Sequence, residues 1–259
     1  MFKKILLMIF FIAFVSVGCA TKNGKTDMLN AIIQKDKLTV GISYDSKPFG
    51  FRDSDGQIKG VEADLAREIA RRILGSDKKV EFKQVSPQAR MPMVALGEVD
   101  MVISTMTITP QRKKIIDFSI PYFVAGQAIC VKKDSKIDSH DDLNNRNVIV
   151  VLGTTGERNL RDFIPNAVMQ GYVNNSDALN AFKEGKDDAI TTDDSILQGF
   201  IMENADYKIL PIRLSKEPYG IALKKSRDAA EFKKYVDKVL GDIMLDGTLE
   251  TIKDKWGVS

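Results

Sequence analysis

The chain has 259 residues, and its 38 lysines and arginines against 35 aspartates and glutamates leave a net charge of +3. This balance, without any basic block or stripe, argues against a nucleic-acid-binding protein. Two cysteines are too few for a disulfide framework, and with a single histidine, His140, a zinc site or a Ser-His-Asp triad would hang on one residue.

Lys3 and Lys4 make a basic start, and Ile5 to Gly18 is an almost unbroken apolar run, too short for a comfortable membrane span. With the small residues Ser16-Val17-Gly18 before a cut, residues 1–18 read as a secretory signal peptide. The segment ending at Cys19 resembles a bacterial lipobox, in which Cys19 would carry diacylglycerol; Ser16 departs from the Leu usual there. Ordinary cleavage nearby, or an uncleaved anchor, is the alternative. Residues 19–27, polar over Thr21 to Thr26, then form a lipidated tether. The remainder, about 230 residues, suits one large or two medium domains.

Downstream, short apolar runs alternate with amphipathic ones. Strands are predicted at Leu38 to Ile42, Val80 to Val85 and Val99 to Ile103, and helices at Val61 to Leu74, Gln88 to Leu96 and Pro110 to Ile115. In the first helix Leu65, Ala66, Ile69, Ala70 and Ile73 form the apolar face, and Glu62 and Asp64 suit the dipole of the first turn. Asp53 to Gly56 carries the Asp-Gly hairpin signal. The rhythm restarts with strands at Gln127 to Lys132, Val148 to Leu152, Val168 to Tyr172 and Asp188 to Thr191. Helices are predicted at Glu157 to Phe163, Ser176 to Glu184 and Asp194 to Met202, followed by a helical tail. Two βαβα units predict an α/β fold of two lobes with parallel sheets. Cys130 reads as a buried apolar residue, and His140 as an exposed helix start.

Three polar corners recur at strand ends. Thr105, Thr107 and Arg112 gather at a turn where Thr109 is a good N-cap and Pro110 a good first helical residue. Gly153-Thr154-Thr155-Gly156 opens another helix, and Thr192-Asp193-Asp194-Ser195 places a carboxylate at the end of a strand. In open α/β sheets ligands bind outside the carboxyl ends of strands. Two anion receptors and one carboxylate complement an α-amino acid, with Arg112 and free N–H groups on its carboxylate and Asp193 on its ammonium. Taken singly, each corner has a plainer explanation. Arg112 could be solvated or locally paired, the glycine-threonine segment could be a tight turn, and Asp193 and Asp194 are both N-cap candidates.

The set resembles the family 3 extracytoplasmic solute-binding proteins, receptors of polar amino-acid ABC transporters. Four segments carry the likeness in order: Gly60 to Ala66, Thr107 to Ser119 with Pro121-Tyr122, Gly153-Thr154-Thr155, and Asp246 to Leu249 through Lys255 to Gly257. The resemblance implies a type II periplasmic-binding-protein-like α/β fold, two lobes joined by two hinge strands near Tyr122 to Gln127 and Glu217 to Gly220. Lobe 1 would comprise 28–124 and 220–259, and lobe 2 would comprise 125–219. It also implies that Arg112 and Thr107 hold the ligand carboxylate from lobe 1 and Thr154 and Thr155 from lobe 2. The Thr105 carbonyl and Asp193 would take the ammonium.

Ser86 to Pro92 and Thr192 to Gly199 resemble segments of glutamate- and aspartate-binding members, which would set Arg90 on a side-chain carboxylate, with Ser46 as a further contact. Counting Arg90, Arg112 and Asp193 gives +1, neutralised by a bound acidic amino acid. The expected protein is therefore a monomeric, membrane-anchored extracytoplasmic lipoprotein, delivering glutamate or aspartate to a permease without cofactor or metal. Alternatives are the same role for glutamine or another polar amino acid, and a prephenate or arogenate dehydratase, which would need a general acid in the cleft. Thr105 stands where many relatives have Gly.

Overall fold

A computed structural model describes residues 27–258. The expected leader, the lipidation site at Cys19 and nearly all of the tether lie outside the described residues.

The chain opens with helix α1 (Met28–Lys35) and strand β1 (Leu38–Ile42), then the small strands β2 (Asp45–Ser46), β3 (Gly50–Arg52) and β4 (Ile58–Lys59). The β3–β4 hairpin turns at the Asp-Gly signal. Helix α2 (Val61–Leu74) starts after Gly60, whose φ of 114° and contact with Phe49 leave no room for a side chain: a Cβ there would sit 2.0 Å from the Phe49 carbonyl oxygen. That tight start directs the first turn of α2 inward. Strand β5 (Val80–Gln84), helix α3 (Arg90–Leu96) and strand β6 (Met101–Val102) follow.

Next comes the sixteen-residue strand β7 (Asp117–Lys132), then β8 (Asn147–Val151), α4 (Thr155–Phe163), β9 (Val168–Tyr172) and α5 (Asn175–Lys183). The chain continues through β10 (Ala189–Asp193), α6 (Asp194–Glu203), β11 (Tyr207–Ile209) and β12 (Ser215–Leu223), and closes with α7 (Ala230–Leu245) and α8 (Thr248–Lys255).

The main sheet runs β5-β1-β6-β12-β7-β10-β8-β9, with β11 added beside β7. On one side β1 pairs parallel with β5 and β6; on the other β8 pairs parallel with β9 and β10. The expected parallel sheets are thus joined by an antiparallel centre, because β7 and β12 pair antiparallel from Ser215–Gln127 to Leu223–Asp117. Each parallel half has its own core. Leu65, Ile69, Met101 and Phe232 belong to the first, and Ala128, Ile149, Phe182 and Leu197 to the second. The result is a two-lobed α/β fold, with β7 and β12 as the strands passing between lobes.

The helix expected at Pro110 to Ile115 is a single 3₁₀ turn, Arg112–Lys114. Thr109 still caps it, its hydroxyl accepting the Arg112 N–H at 3.2 Å. The turn cannot lengthen because β7 begins at Asp117 and buries Phe118 in the sheet. The anion-binding helix N-terminus expected there is therefore absent, and Arg112 acts through its side chain alone.

Candidate functional site

Between the lobes lies an enclosed polar cavity. Lobe 1 lines it with Ser43, Ser46, Pro87, Arg90, Thr105 and Thr107, and lobe 2 with Thr154, Thr155, Asn175, Asp193 and their neighbours. Of the eight residues predicted to bind ligand, seven line this space. The eighth, Arg112, does not line it. Its guanidinium donates to the Thr107 carbonyl at 2.8 Å and to the Gly153 carbonyl at 3.4 Å, bridging the two lobes beside the cavity. Desolvation and the neighbouring Arg90 charge push the Arg112 pKa down to about 9.

The lobe 1 wall is an interlocked group. Arg90, 4% exposed, points its Nη1 at the carbonyls of Ser104 and Thr105. Thr105 has φ of 39°, a left-handed conformation that is costly for a β-branched residue and free for glycine. Its N–H donates to Glu62 Oε1 at 2.5 Å, and the Tyr122 hydroxyl donates to the same oxygen. The 104–105 peptides are therefore clamped from both sides, which accounts for a threonine tolerated at this backbone angle. Glu62 is fully buried, and desolvation raises its pKa to about 7. Burial likewise lowers the pKa of Arg90.

Glu62 is a correction to the sequence reading, which placed it as a dipole-compensating residue of the first turn. The phase of α2 contained the signal: position 62 lies three and four residues before Leu65 and Ala66, on the buried face. The charge count changes with it. Glu62 joins Asp193, and Glu217 on β12 is 2% exposed, so two arginines face three carboxylates.

On the lobe 2 side the groups are short and sit at helix starts. Thr154 caps α4, accepting the Glu157 N–H at 3.3 Å. The first N–H groups of α4 have no acceptor within the helix and carry its positive dipole end. Thr155 Oγ1 donates to Glu217 Oε2 at 2.8 Å and lies 3.4 Å from Thr107 Oγ1 across the cleft. Asn175, at the start of α5, donates to Ser46 Oγ at 3.0 Å, and the Ser176 N–H donates to Asp45 Oδ2 at 3.1 Å. Lys47 and Glu203 make a further lobe-to-lobe pair at 3.0 Å.

The alternatives at Asp193 and Asp194 separate cleanly. Asp193 makes no side-chain cap bond to α6; its Oδ2 accepts from the Tyr219 hydroxyl at 2.5 Å while the residue lines the cavity. Burial raises its pKa to about 7. Asp194 is occupied elsewhere, by the Gly126 N–H at 3.0 Å and Arg213 Nε at 2.7 Å. Sequence reasoning missed Glu62, Asn175, Glu217 and Tyr219 as members of this site. Cys130 is buried, with its thiol pushed up to about 12 by desolvation, and His140 contacts Asp141 away from the cavity. Among the described residues no cluster of metal-ligating side chains is present.

Residues 38–259 match the bacterial extracellular solute-binding proteins, family 3. The chain is 41% identical over 243 residues to the ABC transporter glutamine-binding protein GlnH of Bacillus subtilis (strain 168), covering 93% of this chain and 88% of that one. It is 42% identical over 202 residues to the glutamine-binding protein of Geobacillus stearothermophilus, covering 77% of each chain. Among solved structures it resembles the ancestral amino acid-binding protein AncCDT-1, a precursor of cyclohexadienyl dehydratase. The TM-score is 0.82 at 38% identity, over 88% of this chain and 98% of that one.

Proposed function

The chain belongs to the bacterial extracellular solute-binding proteins, family 3, and from that premise we propose that this amino-acid receptor of an ABC importer takes glutamine as its ligand. Two relatives at 41% and 42% identity are glutamine-binding proteins, which favours glutamine over the glutamate or aspartate expected from the sequence. The observation that carries the reading is the cavity itself, where Arg90 and Asp193 face one space closed by both lobes. The ammonium of an amino acid supplies the charge that buried Asp193 needs, and Arg90 offers N–H donors to an amide oxygen.

In this reading Thr107 and the first N–H groups of α4 at Thr154 and Thr155 hold the α-carboxylate, joined by Arg112, whose guanidinium lies beside the cavity on the Thr107 and Gly153 carbonyls and turns from them to the ligand. Asp193 and the Thr105 carbonyl hold the ammonium. Ser46 and Arg90 border the side-chain amide. Contacts from two lobes favour the closed arrangement, because only that state makes all of them. The protein works as a receptor without chemistry, as its relatives do. The two buried carboxylic acids whose raised pKa could suggest a general acid are both engaged, Glu62 by Thr105 and Tyr122 and Asp193 by Tyr219.

A thermal-shift screen of the twenty amino acids, with prephenate added, tests this. Glutamine should raise the unfolding midpoint most, because a ligand that binds only the folded state stabilises it. A larger shift with glutamate or prephenate would overturn the assignment. The extracytoplasmic site of action follows from the family. Attachment through lipid on Cys19 is a further proposal, motivated by the apolar leader that ends there. A Cys19→Ser variant should leave the membrane fraction, and unchanged fractionation would refute the anchor.

A further inference from the structure

We propose that Glu62 is a specificity-determining positioning residue, whose negative charge behind Thr105 offsets Arg90 so that the cavity accepts a neutral side chain and disfavours an acidic one. The proposal rests on the amino-acid-receptor reading and goes beyond it by assigning the ligand's charge to a residue that does not line the cavity.

The geometry supports it in three steps. Arg90 is a cavity-lining cation, 4% exposed, so its charge cannot be screened by bulk water. Its Nη1 is directed at the carbonyls of Ser104 and Thr105, which supply dipoles but no formal charge. On the same peptide segment, the Thr105 N–H is held by Glu62, which is fully buried. Arg90 and Glu62 are thus a cation and an anion linked through one residue of backbone. Two buried atoms, Arg90 Nε and Glu62 Oε2, have no hydrogen-bond partner in the protein. Arg90 sits in the field of Asp193 first and of Glu62 next, and Glu62 in turn feels Arg90.

Arg90 lies in the fields of Asp193 and Glu62; once the ligand ammonium takes Asp193, Glu62 is the anion that remains for it. Glu217 is held by Thr155, Asn159 and Ser215 on the Arg112 side, where Arg112 and α4 face the α-carboxylate. Arg90 then has no charge to spare for a carboxylate on the ligand side chain. Were Glu62 uncharged, Arg90 would lose that counter-charge, and an acidic side chain would suit it. Glu62 also orients Thr105, which places the carbonyl assigned to the ammonium, so its conservative replacement separates the two roles. The Glu62→Gln substitution keeps an oxygen acceptor for the Thr105 N–H and the Tyr122 hydroxyl and removes the charge, its NH2 taking the place of the unpartnered Oε2.

The test is calorimetry with glutamine and glutamate at pH 8, above the Glu62 pKa of about 7 so that its carboxylate is ionised, on the purified wild-type protein and the Glu62→Gln variant. The ratio of glutamate to glutamine affinity should rise at least tenfold in the variant. A purely structural role for Glu62 would weaken both ligands equally, and an unchanged ratio overturns the proposal. Should Glu62→Gln fail to fold, the wild-type ratio measured from pH 8 down to pH 6 takes its place. It should rise as Glu62, with its pKa of about 7, becomes protonated; Asp193 titrates in the same range but meets the ammonium that both ligands share. A flat ratio would refute the charge pairing. The two readings fail separately. If wild-type protein prefers glutamate at pH 8, the glutamine assignment is lost, whereas the charge pairing is judged by how the ratio responds to the variant and to pH.

Discussion

The two walls of the cavity are built on different plans. Lobe 1 presents long charged groups fastened to its own backbone: Arg90 on the carbonyls of Ser104 and Thr105, and Glu62 on the Thr105 N–H and Tyr122. Lobe 2 presents short side chains at the starts of α4, α5 and α6, and hydrogen bonds made there reach outside lobe 2, as with Asn175 to Ser46 and the Ser176 N–H to Asp45. A wall bonded within itself keeps its shape when the lobes part. A wall whose contacts run across the gap is completed only on closure. The side-chain end of the ligand therefore meets a preset lobe 1 wall, and the second wall supplies the contacts that reward closing.

The largest effect expected from this contrast is at Asp193, the charged exception on the lobe 2 side. Its folded-state pKa is raised to about 7 from an ordinary 3.8. A raised acid favours the folded state while protonated. Its contribution is complete below about pH 4 and is lost as pH rises to about 7, on the order of 4 kcal/mol. Asp193→Asn should remove this loss. In ligand-free denaturation curves between pH 4 and 8, wild type should fall relative to the variant as pH rises, and parallel curves would mean that Asp193 is not desolvated as described.

Next in size is Arg112, which spans both walls through the Thr107 and Gly153 carbonyls. Arg112→Ala should weaken amino-acid binding at least tenfold, about 1.4 kcal/mol. Equilibrium dialysis showing wild-type affinity would confine Arg112 to a structural bridge. The smallest effect is expected within lobe 1. Thr105→Gly relieves the left-handed backbone at φ 39° but frees the unfolded chain, a net gain of roughly 0.5–1 kcal/mol. A lower melting temperature for this variant would show that the threonine side chain contributes more than its backbone angle costs.

How much of this was legible beforehand differs with the range of the interactions. Helix α2 and strands β1 and β9 lie where local periodicity puts them, and most of the other elements that were read agree to within a residue or two, but β7 begins at Asp117, ten residues before the strand expected at Gln127, and β11 and β12 were not read as strands from periodicity. The antiparallel centre was not legible, because β12 pairs with a strand about ninety residues earlier and the local pattern of neither reports its partner. At the site, corners of Thr, Gly and Asp residues revealed themselves through capping chemistry. Glu62 did not, because its carboxylate is buried by contacts with Thr105 and Tyr122, forty-three and sixty residues away. Without it the charge count pointed to an acidic ligand. The one-residue distinction between Asp193 and Asp194 likewise depended on Tyr219, Gly126 and Arg213 arriving from elsewhere in the fold.

The central claim is an amino acid held between unlike walls, and a crystal structure of the protein with glutamine tests it most directly. The account predicts the ligand in the interlobe cavity, its ammonium against Asp193 and its carboxylate between Arg112 and the start of α4. Glutamine found outside that cavity, or lying within it with those two groups reversed, would contradict it.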